Sequence, residues 1–251
     1  MKSCFLALTL VMASLELDQR ASHAEDAAPA HSAAAEVSVR PGVNADYFKP
    51  DALRKFTGVL ETESREVVRA RATILAALRL EQGNRVADLG AGTGLFTLEL
   101  ARAVGAKGRV YAVDIVPSFL ARIGQRARHA KLRQVQTVLG QERSPGLPRA
   151  SVDLAFMCDV YHHLEYPRAY LQAVRAALRP GGELVVIDFK RIPGQSKPAI
   201  LKHVRAGEDE VRAEIEAAGF EFVGAEPNLL EENYLLRFRA RASLERPPLK
   251  E

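Results

Sequence analysis

Hydrophobic positions along the chain follow two rhythms. Over 62–80 they recur at helical spacing, with Val67, Ala70, Ile74 and Leu78 on one face and Gly83 just beyond. That spacing predicts a single helix with one buried face, leading into the core. From Arg85 onward, short runs rich in branched residues alternate with helical stretches, and strands are predicted at 85–89, 109–113, 134–139, 152–157 and 182–189. Pro117 and Pro167 open helices, and Pro180-Gly181-Gly182 ends the one that carries Leu171, Val174 and Leu178 on one face. A last helix over 208–218 turns Val211, Ile215 and Ala218 inward and stops at Gly219. The segments 220–225 and 233–240, joined through Pro227-Asn228, read as an antiparallel hairpin. Strands alternating with helices are the sequence form of an α/β fold with a mostly parallel sheet.

Composition narrows this picture. A chain of 251 residues, 47% hydrophobic and 26% charged, suits one globular domain with terminal extensions and excludes disorder of the whole. The net charge of +4 comes from 35 basic and 31 acidic residues interspersed along the sequence. No basic cluster is interleaved with aromatics, so no nucleic-acid partner is expected. At the N-terminus, Lys2 precedes an apolar run from Phe5 to Leu15, and Ser22-His23-Ala24 supplies small residues at the positions before a cleavage point. The segment 1–24 therefore reads as a secretory signal, too short to span a bilayer, which predicts an exported protein with no stable membrane anchor after cleavage. Glu16, Asp18 and Arg20 make that segment unusually charged and keep a cytoplasmic leader open as the alternative. The stretch 25–44, Ala-rich through Glu36, reads as a flexible linker, followed by a domain over 45–243 and a tail over 244–251. Removal of the leader would take Cys4 away and leave Cys158 alone, so no internal disulfide is expected in the mature chain.

The chemistry concentrates in Val86-Ala87-Asp88-Leu89-Gly90-Ala91-Gly92-Thr93-Gly94-Leu95-Phe96-Thr97. It follows a predicted strand and opens a predicted helix. Glycines there let the backbone turn sharply and bring its amides close to a ligand, while the helix N-terminus offers unpaired N–H groups. A pyrophosphate or an amino-acid carboxylate could be held by such a loop. A dinucleotide fingerprint needs a third glycine where this chain has Leu95; the pattern here is G-x-G-x-G.

This D-x-G-x-G-x-G arrangement resembles the class I S-adenosylmethionine-dependent methyltransferases. Four further segments resemble that family. Val110-Tyr111-Ala112-Val113-Asp114-Ile115 looks like its second strand, ending in an acid. Val152-Asp153-Leu154-Ala155-Phe156-Met157-Cys158-Asp159-Val160-Tyr161-His162-His163-Leu164 looks like its fourth strand and the following turn, and Leu178-Arg179-Pro180-Gly181-Gly182-Glu183-Leu184 like its turn into strand five. Leu139-Gly140-Gln141-Glu142 resembles the loop after strand three, although Gln141 stands where an acid is common. The likeness covers about 85–189, more loosely through the terminal hairpin. It implies a Rossmann-like, seven-stranded, mostly parallel sheet in the order 3-2-1-4-5-7-6, with strand seven antiparallel and helices on both faces. It also implies S-adenosylmethionine as cofactor, bound beyond the carboxyl ends of the strands.

On that resemblance, Asp114 anchors the ribose through both carboxylate oxygens, Ile115 covers the adenine, and Gln141 and Glu142 meet the adenine edge. Asp114 ends its strand at the open edge of the cleft, so its removal is expected to weaken ligand binding and leave folding intact. Gly90, Ala91 and Gly92 approach the ligand through the backbone, and Gly94 serves helix packing. Asp88 and Asp159 border the methionine end or cap neighbouring turns. His162 and His163 are the candidate proton acceptors, since imidazole titrates near neutrality, with support of the turn as the competing role. Glu63-Ser64-Arg65 reads as a solvated turn at a helix start, with closure over the cofactor as the alternative. No metal site is expected, because carboxylates and histidines lack a ligand spacing along the sequence. The expected activity is methyl transfer to a small-molecule or lipid-like acceptor, with 45–61 and 192–207 as the walls that define it. A protein or nucleic-acid acceptor, or ligand binding without turnover, stay open as alternatives, and the oligomeric state is not legible.

Overall fold

The computed structural model describes residues 36–241, so the expected secretory signal, most of the expected linker and the expected tail lie outside the described residues. The branched runs become strands: β1 (Arg85–Leu89), β2 (Arg109–Asp114), β3 (Val135–Leu139), β4 (Val152–Cys158), β5 (Leu178–Phe189), β6 (Phe220–Ala225) and β7 (Asn233–Ala240). They form one sheet in the order β3-β2-β1-β4-β5-β7-β6. The first five pair in parallel, and β7 runs antiparallel to both β5 and β6. The α/β class, the strand order and the closing hairpin all agree with the sequence reading.

The helices are α1 (Ala52–Leu60), α2 (Glu66–Arg69), α3 (Arg71–Ala77), α4 (Thr97–Val104), α5 (Pro117–His129), α6 (Pro167–Ala177), α7 (Pro198–His203) and α8 (Glu208–Ala217). Because side chains alternate across a strand, successive residues of the central strands feed two apolar layers. Ala87, Leu89, Met157 and Val186 pack with Leu171 and Val174 of α6 and Val211 and Ile215 of α8. Val86, Phe156, Val185 and Ile187 pack with Ile74 of α3 and Leu100 and Val104 of α4. β1, at the centre, is therefore covered on both faces, and its carboxyl end opens where the strand order reverses.

Three features depart from the expected elements. The single helix expected over 62–80 is two, broken at Ala70, whose φ of −84° and ψ of 8° leave the helical path. The break lets α2 bury Val67, Val68 and Glu66 together. The Glu66 carboxylate accepts the backbone N–H groups of Glu231, Glu232 and Asn233, tying α2 to the entry of β7. β5 begins at Leu178, earlier than Gly182, because Leu178 pairs with Val152 before a register shift brings Glu183 opposite Leu154. Residues 36–44, expected as the end of a linker, are held against the turn after β4. Ser38 Oγ donates to Glu165 at 2.8 Å, Gly42 N–H to the same carboxylate at 3.1 Å, and Asn44 Nδ2 to the His163 carbonyl at 3.0 Å. Polar side chains at that turn supply partners that composition alone does not reveal.

Candidate cofactor and acceptor site

The loop between β1 and α4 takes its shape from glycines that no other residue replaces cheaply. Gly90 has φ of +66°, and a Cβ there would lie 2.5 Å from Val160 Cγ1. The side chain excluded at this position is thus opposed first by Val160. Gly94, at φ of +84°, has Ile123 of α5 in the corresponding place at 2.9 Å, as expected of a packing glycine. Beneath the loop Asp88 is 4% exposed and accepts a 2.5 Å hydrogen bond from Thr97 Oγ1 at the start of α4. Burial pushes the Asp88 carboxyl up to about 7, against the opposing effect of that hydrogen bond. Asp88 both lines the cavity above it and ties the strand to the helix.

Asp114 sits at the end of β2, buried, with its carboxyl pushed upward by burial and held back by backbone hydrogen bonds. Oδ2 accepts Gly92 N–H at 2.7 Å and Oδ1 accepts Val116 N–H at 2.9 Å. The expectation that Asp114 could be removed without structural consequence is therefore corrected, since the carboxylate pins the glycine loop to β2. Each oxygen keeps a second lone-pair site, so two ribose hydroxyls remain within its accepting capacity. Ile115 is half-buried beside it, while Gln141 and Glu142 are exposed at the rim, where Gln141 forms a small bridge with Ser144.

One cavity of about 1060 Å3, its open mouth included, joins Asp88, Gly90, Ala91, Gly92, Asp114, Ile115, Gln141, Glu142 and Asp159. The residues fit an adenosyl ligand: the loop bends by positive φ at Gly90 and Gly92, a Cβ at Gly92 would meet nothing nearer than Leu60 at 3.5 Å, and the buried Thr93 hydroxyl on the cavity wall has no hydrogen-bond partner among the described residues.

The opposite wall is built from distant segments. Asp159, in the left-handed region at φ of +54°, turns the chain after β4. Its carboxylate accepts Arg65 Nη2 at 2.5 Å and Asn233 Nδ2 at 2.6 Å, while Arg65 Nη1 donates to the Leu60 carbonyl at 2.7 Å. Burial raises the Asp159 carboxyl, and Arg65 opposes the shift. Arg65 is thus a half-buried bridge between the end of α1 and the site, correcting its reading as a solvated turn residue. The two histidines part company. His162 is buried away from the cavity, with Nδ1 2.7 Å from Asp188 Oδ1 on β5. His163 lines the cavity, its Nε2 3.4 Å from the Tyr47 hydroxyl, and burial with neighbouring His162, His203 and Arg40 lowers its protonation to about 2. It does not titrate near neutrality, contrary to expectation. The sequence did not single out Asn44, Glu66 or Asp188, and it included Tyr47 only within the broad wall expected over 45–61; no local motif marks them, because each gains its role from a partner far away in the chain.

A doubly wound sheet with a glycine loop after its first strand, an acid after its second and a ligand-sized cleft at the reversal of strand order defines a Rossmann-like methyltransferase domain. The comparisons agree. Residues 87–186 match the family described as a methyltransferase domain. The chain is 31% identical over 116 residues to a ubiquinone/menaquinone biosynthesis C-methyltransferase of Azotobacter vinelandii, covering 45% of each. It is 33% identical over 72 residues to an aklanonic acid methyltransferase of a Streptomyces species, covering 29% of this chain and 33% of that one. The chain thus spans less than half the length of these two curated relatives. A solved S-adenosylmethionine-dependent methyltransferase of Aquifex aeolicus superposes with a TM-score of 0.65 at 26% identity, over 76% of this chain and 98% of that one. The fold and the matched segment 87–186 are those of the class I S-adenosylmethionine-dependent methyltransferases, a family whose cofactor is S-adenosylmethionine.

Proposed function

We propose that the protein transfers the cofactor's methyl group to a small, largely apolar acceptor held between the glycine loop and the cap formed by residues 44–65. The observation that carries this reading is the continuity of the cavity from Asp114 and the glycine loop to a wall of Tyr47, Leu60, Phe119 and Leu164. Tyr47 is fixed there by Phe56, at 4.2 Å between ring centroids, and by Phe119, at 6.0 Å. Leu60 reaches over Gly92, so the cap narrows the approach to a polymer more than to a small molecule. The names of the relatives in Azotobacter and Streptomyces point to small-molecule chemistry as well.

When bound, the cofactor supplies an electrophilic methyl group on a sulfonium. The chain's part is placement. Asp114 and the loop amides orient the adenosyl end, Asp88 and Asp159 flank the loop and the turn after β4, and the apolar wall excludes water while aligning the acceptor. Of the candidate proton acceptors, His163 borders the cavity and His162 does not; Tyr47 and His163 are the polar pair that orients an acceptor hydroxyl.

Calorimetry with S-adenosylhomocysteine and with NAD tests the cofactor half, and stronger binding of NAD would overturn it. Isotope-labelled S-adenosylmethionine incubated with extracts tests the other half: label is expected in small organic products, and label confined to protein or nucleic acid would refute the acceptor class. The secretory signal read over 1–24 leads to a further proposal, that the mature protein works outside the cytoplasm. N-terminal sequencing from the native host is expected to find a start near Glu25, and an intact Met1 in the cytoplasmic fraction would overturn it. Among the described residues no helix is long and apolar enough to cross a membrane.

A further inference from the structure

We propose that His162, His163 and His203 form a binding site for a divalent transition-metal ion of the zinc type. Two of the ligands sit on the short turn after β4 and the third ends α7, far along the sequence, which is why ligand spacing did not disclose them. One ligand nitrogen from each ring lies within 4.8 Å of the other two. His163 Nε2 and His203 Nε2 are 3.4 Å apart. That is a poor hydrogen bond, at the outer limit of distance. It is also the separation expected of two nitrogens bound to one tetrahedral ion at about 2.0–2.1 Å each.

The surroundings match a metal ligand set rather than stacked rings alone. Asp188 Oδ1 lies 2.7 Å from His162 Nδ1, and Asp188 is itself held by the His162 and Phe189 backbone N–H groups at 3.0 and 2.8 Å. A carboxylate in that position fixes the Nδ1–H tautomer and leaves Nε2 as the ligand atom, the usual outer-shell support of a metal-bound histidine. Arg40 fixes the end of α7 by donating to the His203 carbonyl. The burial gradient, from buried His162 through half-buried His163 to exposed His203, gives an ion a path in and leaves room for a fourth, solvent ligand. Three neutral imidazoles suit zinc, cobalt, nickel or copper and disfavour magnesium or calcium. An ion here would staple α7 to the turn that carries Asp159 and would border the cavity through His163.

The test uses the tag-free, chelator-stripped protein, titrated calorimetrically with zinc chloride and, as a spectroscopic probe, with cobalt(II). One zinc per chain and a visible cobalt band of low-coordinate intensity are expected. His203→Ala, at an exposed helix end whose folding is checked by circular dichroism, is expected to weaken zinc binding at least about tenfold, since outer-shell partners alone are worth about 10–100-fold. It is also expected to abolish the cobalt band. His129→Ala, at an exposed site on α5, is expected to change neither. Absence of stoichiometric zinc binding, or His203→Ala binding zinc as tightly as the parent, would overturn the site. Cofactor binding is not involved, so the result stands whatever the fate of the methyl-transfer reading.

Discussion

The two walls of the cavity are built in different ways. The cofactor wall runs through contiguous chain from Asp88 to Val116, where a loop, a helix start and the end of the neighbouring strand touch one another. The acceptor wall joins residues separated by 94 positions in the Arg65–Asp159 pair, 74 in the Asn233–Asp159 pair and 116 in the Tyr47–His163 pair. The first wall is a property of local backbone geometry and is sensitive to single added atoms. The second is a property of topology and is sensitive to loss of partners.

That contrast is broken most directly at Gly90. Gly90→Ala puts an L-residue at φ of +66° and a methyl 2.5 Å from Val160 Cγ1. The left-handed conformation costs about 1–2 kcal/mol and overpacking about 1–3 kcal/mol, so a loss of roughly 4 kcal/mol in denaturant stability is expected. A loss under about 1 kcal/mol would show that the loop relaxes freely and that its local rigidity is illusory.

On the other wall, Arg65→Met keeps the stem of the side chain and strands the Asp159 carboxylate, whose side chain is 4% exposed. Removal of one partner of such a pair costs about 3 kcal/mol, at the lower end because Arg65 itself is 20% exposed. Adding Asp159→Asn should recover part of that loss, which a double-mutant cycle in urea measures. Strict additivity of the two changes would mean that the wall does not depend on this pairing.

The same contrast explains what was legible in the sequence. The strands and the closing hairpin follow from hydrophobic period, because each depends on residues near one another in the chain, whereas the strand order, which pairs β1 with the distant β4, comes only with the family likeness. Gly90, Gly92 and Asp114 were legible for the same reason, and they line one cavity. Even there the sequence misjudged the physics, since Val160 opposes a side chain at Gly90 and loop amides already occupy Asp114. The break at Ala70, the docking of residues 36–44 and the inward turn of Arg65 depend on Glu66, Glu165 and Asp159, polar partners that periodicity does not register. His162 and His163 were legible as a pair, but only β5 and α7 determine that one faces Asp188 and the other faces the cavity and His203.

Asp88 sharpens the local side of the comparison through pH. Burial raises its carboxyl from the ordinary 3.8 to about 7. The folded state therefore holds the proton more tightly than the unfolded chain. The resulting stabilisation is complete below about pH 4 and is lost as pH rises through about 7. The full shift corresponds to as much as about 4 kcal/mol, and relaxation leaves roughly 2 kcal/mol. Asp88→Asn is expected to flatten that part of the stability profile, measured by urea denaturation at pH 5 and pH 8 relative to the parent. An equal pH dependence in both proteins would place the titrating group elsewhere.

Asp114→Asn produces the smallest expected effect and isolates ligand binding from loop support. The carboxylate now accepts Gly92 N–H through Oδ2 and Val116 N–H through Oδ1, and the proposed ribose contacts use its remaining lone pairs. An amide keeps the shape and one accepting oxygen but turns the other position into a donor facing a backbone N–H. Two losses follow, one structural and one in the ligand. The structural loss, one charged acceptor replaced at a loop amide, is expected at about 1 kcal/mol in denaturant stability. The ligand loss, a charge-assisted contact to one hydroxyl, is expected at about 1.5 kcal/mol, or roughly a tenfold rise in the dissociation constant of S-adenosylhomocysteine. A ligand that lacks one ribose hydroxyl separates the two: if Asp114 reads the ribose, the 2′-deoxy or 3′-deoxy analogue binds parent and variant with more nearly equal affinity. If the variant loses stability but discriminates against neither deoxy analogue differently from the parent, Asp114 holds the loop and the ribose is recognised by another group.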